Sequence, residues 1–303
     1  MYDTLHLWHG GNTECIAPLL CQVVEHNRDE SYYITGNLKN FNLCVNEKGV
    51  SIKGSLAKWF FGNNLQTLTR VDTQQAIESL SDTLHLSVKN AKLSRIDFAQ
   101  NFSMQYEPEI YYPYFGDSKT YKRCGLSTSL YYTKPNIIKL FYNKNLEYKV
   151  KNGKIDESLF QKNLLRFEVR FMKQLPKIFN KVSVNVGMLY DEDFYMRLFK
   201  KWFDEYSNID KISKMAFRED VLLKPSDFFN QLTLKSIIDL GGQNEVLELI
   251  EETRKRGQFE RPEYPSRAKG MIKDLFKNEL LFEPSELIQE LENKVRQFKL
   301  DFK

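Results

Sequence analysis

Cysteine is scarce in this chain of 303 residues, and long apolar runs are absent from it. The four cysteines form no CxxC pair or other close metal-type spacing. No window approaches the run of about 18 apolar residues that a membrane span needs. The first residues lack the basic and apolar regions of a secretory signal. We therefore expect reduced, buried thiols in a cytoplasmic protein that has no membrane partner.

Net charge is also small, at +4 from 44 basic and 40 acidic side chains, and by itself it says little about partners. The distribution is more informative. Between Ser118 and Lys177 the chain carries 14 basic and 4 acidic residues, a net +10, so the remainder carries −6. This segment predicts a surface for a polyanion. The alternative is an ordinary solvated charged face.

Two stretches put carboxylates where strands alternate with apolar residues. In Leu93–Ala99, Ile96 and Phe98 share one face while Asp97 lies on the other. In Leu164–Phe171 the apolar face is unbroken, and the residues opposite it are Arg166, Glu168 and Arg170. Such a polar face offers hard oxygen ligands for Mg²⁺ or Mn²⁺. The alternative is an amphipathic sheet with cross-strand ion pairs, such as Arg95 with Glu168.

A third stretch, Ile137–Glu147, alternates up to Tyr142 and then turns polar, as a strand does when its last side chain reaches a polar surface. A phenol with a pKa of about 10 is a poor nucleophile, but a neighbouring cation or metal activates it. If the strand continues to Lys144, that ammonium shares a face with Tyr142. The alternative is an unremarkable tyrosine beside a solvated lysine.

Together these stretches resemble the filamentous-phage replication initiators and the related plasmid rolling-circle initiators. The resemblance covers about the first two thirds of the chain. Its motifs, in chain order, are Val50–Lys58, Gly62–Asn64, Ser94–Asp97, Lys139–Glu147 and Leu165–Arg170.

The resemblance implies a DNA strand transferase that nicks one strand of an origin and stays joined to the 5′ phosphate. It implies Tyr142 as the nucleophile, Lys144 as its neighbouring cation, and Asp97 with Glu168 as the site of Mg²⁺ or Mn²⁺. Many relatives bind the metal with a His-hydrophobe-His pair, which this chain lacks. The site should therefore be dominated by carboxylates, and the third ligand stays open.

The same interpretation implies several partners. Origin DNA, single-stranded or extruded as a hairpin, would bind basic side chains in the cytoplasm of a bacterial host, where a helicase and a polymerase assist. The predicted DNA-binding residues are Arg95, Lys134, Lys139, Lys149, Arg166 and Arg170. The alternatives are a relaxase or transposase-like nickase with the same chemistry, and a non-catalytic DNA-binding repressor.

Strands and helices interleave without a regular βαβ rhythm, which favours an α+β fold. We expect a mostly antiparallel sheet with flanking helices over residues 1–180, a connecting helix over 181–205, and a smaller all-helical domain over 206–303. The aromatic stretch Tyr106–Phe115 either stacks DNA bases or packs on the sheet. Helices on both sides of Gly241 and Gly242 indicate a helix-turn-helix or a plain hairpin.

Local signals add finer expectations. Short strands within Tyr32–Gly54 should break at Gly36, and an apolar cluster at Leu56–Phe61 suggests a short helix ending at Gly62. A further helix should begin at Asp72 or Thr73.

Overall fold

The structure is a computed structural model that describes residues 1–11, 15–28, 31–153, 162–211, 214–215, 224–240, 242–277, 282–283 and 285–301. The chain divides into two units, Met1–Asp210 and Lys211–Lys303. The first unit carries every predicted site residue.

A ten-stranded sheet forms the centre of the first unit. The strands of the chain are β1 (Tyr2–Gly10), β2 (Cys21–Arg28), β3 (Ser31–Leu38), β4 (Phe41–Asn46), β5 (Gly49–Ser55), β6 (Lys92–Ser103), β7 (Phe115–Ser118), β8 (Lys122–Leu126), β9 (Ser129–Lys134), β10 (Ile137–Asn143), β11 (Leu164–Met172), β12 (Ile209–Lys211), β13 (Lys214–Met215) and β14 (Phe282–Glu283). The large sheet has the order β2-β3-β4-β5-β1-β6-β11-β10-β9-β8, and each of these neighbouring pairs is antiparallel. The expected α+β class is confirmed.

Helices flank this sheet and make up most of the second unit. They are α1 (Leu56–Phe61), α2 (Arg70–Leu84), α3 (Lys144–Asn152), α4 (Leu175–Phe179), α5 (Glu192–Ser207), α6 (Pro225–Asp239), α7 (Gln243–Lys255), α8 (Tyr264–Lys277) and α9 (Glu286–Asp301). The helix α2 begins earlier than expected because Thr69 caps it, in a capping box whose other member is Asp72.

The apolar face of the sheet packs against α5. Trp202 is fully buried, with ring contacts to Phe98, Phe102 and Phe167. Tyr206 likewise contacts Phe167. The segment 181–205, predicted as a connecting helix, contains most of α5, which covers the sheet, and the first unit extends to Asp210.

One local expectation, a break in the strands at Gly36, fails for a steric reason. Gly36 lies inside β3 and does not break it. Its role is close approach, since a Cβ there would meet Leu20 Cβ at 2.9 Å. The chain turns instead at Lys39, which has φ 50°. The strand β2, which pairs with β3 at the edge of the sheet, was not predicted.

The cysteines are free, but they are not buried as expected. Cys15, Cys21 and Cys124 are exposed, and Cys44 is half-buried. The physical reason is their place in the fold, because Cys21 and Cys124 lie on the two edge strands β2 and β8. Edge strands have a neighbour on one side alone.

The aromatic stretch at Tyr106–Phe115 packs against the protein. Tyr111, Tyr112 and Phe115 are buried, and the Tyr112 hydroxyl donates to the Thr128 carbonyl at 3.1 Å. These three rings are not available to stack DNA bases, so the packing interpretation fits them, whereas Tyr106 is exposed.

The second unit contains α6 to α9, and within it β13 pairs with β14. It is therefore largely, but not wholly, helical as expected. Gly241 lies outside the described residues, while Gly242 is the residue at the start of α7. None of the helices in the described ranges is long and apolar enough to cross a membrane.

Replacing Trp202 with alanine should lower the free energy of unfolding by about 3–5 kcal/mol, because it removes a buried indole from the sheet–helix core. Urea denaturation measures this cost. The control is Val182→Ala at a fully exposed position, where the change should stay within about 0.5 kcal/mol. If Trp202→Ala lowered the free energy of unfolding as little as the control, α5 would only connect segments and would not stabilise the sheet.

Candidate active site

The polar face of the sheet carries a cavity of about 350 Å³. The register of β10, β11 and β6 sets its floor, because Tyr142 pairs with Arg166, and Arg170 pairs with Asp97. Cross-strand partners share a face. The residues lining the cavity are Asp3, Thr4, Asn40, Ser55, Lys58, Asn64, Arg95, Asp97, Tyr142, Glu147, Lys151, Glu168 and Arg170.

Tyr142 lies at the end of β10, as the sequence predicts. Its hydroxyl donates a hydrogen bond to Glu168 Oε2 at 3.1 Å. Burial, reinforced by the neighbouring carboxylate of Glu168, raises the pKa of Tyr142 well above its usual value, although the Arg166 charge opposes this. The phenol is therefore protonated at neutral pH, with a carboxylate already in contact with its proton.

Lys144 does not continue the strand. The strand ends at Asn143, whose side chain accepts from the Leu146 amide and caps α3. Lys144 Nζ is 2.7 Å from Glu147 Oε2 and 5.8 Å from the centroid of the Tyr142 ring. The lysine is fully buried. The predicted proximity to Tyr142 is present, but it arises from a helix start and not from a shared strand face.

Arg166 forms ion pairs with two carboxylates of the cavity, Asp3 of β1 and Glu168 of β11. It is 2% exposed, and its Nη2 lies 2.7 Å from Asp3 Oδ2 while its Nε lies 3.2 Å from Glu168 Oε2. Burial opposes ionisation of Asp3, but Arg166 and Lys144 hold the pKa of Asp3 below its usual value. Arg166 is thus an internal counter-ion, and its burial leaves no surface for the DNA contact that was predicted.

Asp97 and Glu168 lie on adjacent strands and line the same cavity, as predicted. Arg95 binds both oxygens of Asp97, at 2.7 and 2.6 Å. Arg170 Nε lies 2.8 Å from Glu168 Oε1 and 3.8 Å from Asp97 Oδ2. The ion pairs that form are therefore different from the Arg95–Glu168 pair considered from the sequence.

Burial also perturbs Asp97. It raises the pKa of this carboxyl to about 7, an effect that the nearby Glu168 charge reinforces and that Arg95 and Arg170 oppose. A carboxyl poised near neutrality changes charge readily when a cation or a phosphate arrives.

The donor chemistry fits a hard divalent cation. Asp97 and Glu168 supply carboxylate oxygens, and Asn64 Oδ1 on the same cavity is buried with no hydrogen-bond partner among the residues that the structure describes. Mg²⁺ is usually held by one or two carboxylates, with water and substrate phosphate completing its shell. Within the described ranges no cluster of three or more His, Cys, Asp or Glu side chains could hold a metal ion. A cation here would depend on the amide oxygen or on substrate.

Two predicted DNA-binding lysines lie on the other face of the sheet. Lys139 is fully buried, with its Nζ 2.9 Å from Glu205 Oε2 and 2.8 Å from Ser118 Oγ. Lys134 also approaches Glu205, at 3.8 Å. Since Lys139 shares its face with Phe141, two residues on, it points away from Tyr142. The structure thus places these two lysines away from the cavity and beside Glu205, and the phosphate contact proposed for them stays a prediction.

The remaining predicted DNA-binding cations lie in two different places. Arg95 and Arg170 line the cavity, and Lys149 is exposed on α3. The basic segment thus mixes two faces of one sheet. Part of its charge, at Lys154, Asp156 and Glu157, lies outside the described residues.

Several cavity residues were not predicted. They are Asp3, Thr4, Asn40, Ser55, Lys58 and Asn64, together with Glu147 and Lys151 of α3. Asp3 reaches the polar face at a register shift in β1 between Tyr2 and Leu5. The stretches Val50–Lys58 and Gly62–Asn64 contain Ser55, Lys58 and Asn64, but they were noted for their resemblance and not for chemistry.

Comparison with known proteins points to a replication family. A sequence model described as the N-terminal region of a phage replication-associated protein matches residues 1–203. A solved structure described as rolling circle replication initiator protein from Geobacillus stearothermophilus is similar at 10% sequence identity, with a TM-score of 0.38. That similarity covers 73% of this chain and 89% of the other. No curated protein sequence matches the chain.

Asp97 should make stability depend on pH. Its pKa is raised on folding from 3.8 to about 7, so the unfolded chain releases this proton first as the pH rises. The stabilisation is full below about pH 4 and is lost as pH rises towards 7. Between pH 5 and 7 the expected loss in unfolding free energy is about 2 kcal/mol.

Asp97→Asn should remove this dependence, which urea denaturation at a series of pH values would measure. The control Asp82→Asn, at an exposed carboxyl, should leave the slope of the wild type in place. Equal slopes in all three proteins would show that Asp97 ionises normally.

Proposed function

The chain belongs to the family of phage replication-associated proteins, whose N-terminal region it matches, and we propose that it begins rolling-circle replication by nicking one strand of origin DNA with Tyr142. The observation that carries this proposal is the hydrogen bond from Tyr142 Oη to Glu168 Oε2, 3.1 Å long, inside a cavity bordered by cations. A nucleophile in contact with its proton acceptor is the arrangement that covalent catalysis requires.

The reaction follows from these two side chains. Tyr142 Oη attacks the scissile phosphorus, and its proton passes to Glu168. The new Oη–P bond replaces the bond from phosphorus to the 3′ oxygen, which leaves as a 3′ hydroxyl on taking up a proton. The product is a 5′-phosphotyrosine. Rejoining is the reverse, in which a 3′ hydroxyl attacks phosphorus and the tyrosine recovers its proton.

Lys144 assists through its charge. It is too buried for a DNA phosphate to reach, but its ammonium is 5.8 Å from the Tyr142 ring centroid. A positive charge at this range in a low-dielectric site stabilises the phenolate character that develops on Oη. Burial, with help from the Arg166 charge, lowers the pKa of Lys144 to about 8, against the pull of Glu147.

The site would hold Mg²⁺ or Mn²⁺ on Asp97, Glu168 and Asn64. When bound, the ion supplies Lewis-acid polarisation of a phosphoryl oxygen. The two Glu168 oxygens have separate surroundings, since Oε2 faces Tyr142 and Oε1 faces Arg170. Arg95 and Arg170 neutralise the carboxylates until a cation arrives, which avoids an unpaired buried charge.

DNA binding would use the rim of the cavity. Arg95 and Arg170 line the cavity, where flanking phosphates of a single-stranded or extruded origin can approach. Lys149 is exposed on α3 and does not line the cavity. The products of the nick define further partners by their chemistry. A 3′ hydroxyl is a primer for a polymerase, and displacement of the attached strand requires a helicase, both supplied by the host.

The first test is Tyr142→Phe, which removes the nucleophilic oxygen and no cationic contact. With Mn²⁺ and a random-sequence single-stranded DNA library, the wild type should yield an adduct that survives denaturation, and Tyr142→Phe should yield none. Its affinity for the library should change less than about threefold, since phosphate contacts remain.

The matched control is Tyr131→Phe. Tyr131 pairs with Leu140 of β10, so it lies on the same face of the sheet as Tyr142. This variant should form the adduct at the wild-type rate. An adduct in Tyr142→Phe that disappears in Tyr131→Phe would reassign the nucleophile, and DNA binding without any adduct would favour a repressor.

A second test concerns pH. Because the Lys144 ammonium deprotonates near pH 8, the wild-type rate of adduct formation should fall above about that pH. Lys144→Arg keeps its charge, so its falling limb should move to higher pH or vanish. The control Lys149→Arg, at an exposed site on the same helix, should retain the wild-type profile. Superimposable profiles for Lys144→Arg and the wild type would remove Lys144 from the mechanism.

A further inference from the structure

In one wall of the cavity, Ser55–Asn64, Asn64 is the one residue with a part in the proposed chemistry. This wall is held in place by Asp3. Ser55 Oγ donates to Asp3 Oδ1 and accepts the Lys58 amide at 3.2 Å. Asn64 Nδ2 lies 3.4 Å from Asp3 Oδ2, and between these ends α1 stops at Gly62 with φ 75°. Lys58 therefore projects from a braced turn of helix.

The underside of this turn is apolar and buried. Leu56, Ala57 and Trp59 face the core, and Phe41 packs against Trp59 with ring centroids 5.8 Å apart. Lys58, by contrast, is half-exposed and lines the cavity that holds Tyr142. A cation on a rigid element is suited to positioning a ligand.

Apart from Lys58, the charged side chains that line the cavity take part in ion pairs. Every carboxylate that lines it has a cationic partner. The pairs are Asp3 with Arg166, Asp97 with Arg95 and Arg170, Glu147 with Lys144 and Lys151, and Glu168 with Arg166 and Arg170.

Lys58 differs from these cations, because within the described part of the chain no ion pair joins it to a carboxylate. Before a cation binds the carboxylates, a phosphate that approached Arg95 or Arg170 would compete with a buried carboxylate, and leaving that carboxylate unpaired is costly. A phosphate that approached Lys58 would displace water alone. Electrostatics therefore favours Lys58 as the first cation that a phosphate in the cavity meets.

We infer that Lys58 binds the non-bridging oxygens of the scissile phosphate and orients it for attack by Tyr142. This inference rests on the proposed nicking function and adds a residue to it. Charge on those oxygens persists through phosphoryl transfer, so a fixed cation beside them acts in the transition state. Lys58 is then a catalytic residue, whereas Asp3 and Ser55 are positioning residues that hold its helix.

The test first needs a cleavable sequence. Sequencing the DNA that remains attached to the wild type after denaturation, with the random-sequence library as probe, supplies one. Single-turnover adduct formation on that oligonucleotide is then compared in Lys58→Met, Lys58→Arg and the control Lys48→Met, which alters an exposed lysine in the β4–β5 turn.

Removing one preorganised contact to transition-state charge typically costs about 100-fold or more in rate, and we expect Lys58→Met to be slower by this factor. Lys58→Arg should recover most of the rate, and Lys48→Met should match the wild type. A Lys58→Met rate within about threefold of the wild type would overturn the inference.

A substrate change separates a phosphate contact from a structural role. When the scissile phosphate is replaced by a neutral methylphosphonate, no charged non-bridging oxygen remains for Lys58 to bind. The roughly 100-fold difference between wild type and Lys58→Met should then shrink to about threefold or less. A difference that persists on the neutral substrate would assign Lys58 to the fold and overturn the inference.

The two proposals fail in distinguishable ways. If the wild type forms no adduct with the library, the nicking function itself fails. If the wild type forms the adduct and Lys58→Met equals it on both substrates, nicking stands and the role of Lys58 fails.

Discussion

The buried charge of Arg166 is the constraint on which the site depends. A guanidinium removed from water is tolerable because carboxylates and carbonyl oxygens surround it. It binds Asp3 on one side and Glu168 on the other, so it ties the first strand of the chain to the strand that carries the tyrosine's partner. Asp3 in turn anchors both ends of the wall at Ser55–Asn64. One internal cation thus aligns segments that are far apart in sequence.

The two faces of the sheet differ in polarity. Phe98, Phe167 and Trp202 build a dry core on one side, where even a lysine, Lys139, is enclosed with Glu205. Carboxylates and guanidinium groups line the other side in matched pairs. Because the strands between them are shared, the aromatic core supplies the rigidity that a catalytic constellation needs.

The ionisable groups of the cavity also change charge readily. Burial raises the pKa of Asp97 towards 7 and lowers that of Lys144 towards 8, so both groups lie close to a change of charge at neutral pH. The tyrosine keeps its proton, with a raised pKa and a carboxylate in contact. Such a resting site holds little unpaired charge, and an arriving phosphate or cation alters several ionisation equilibria together.

The irregular interleaving of strands and helices was sufficient to predict the α+β class. Alternation along single strands predicted the polar sides of β6 and β11 and the strand-end position of Tyr142, because a period of two is a local property of the chain. Lys134 and Lys139 were predicted from the basic composition of their segment, which does not tell on which face of the sheet a residue lies. Alternation also could not reveal Asp3 or Lys58. A register shift in β1 brings Asp3 beneath the cavity, and strand order brings α1 beside Tyr142. Register and strand order are decided by packing between distant segments, and the tertiary structure alone contains them.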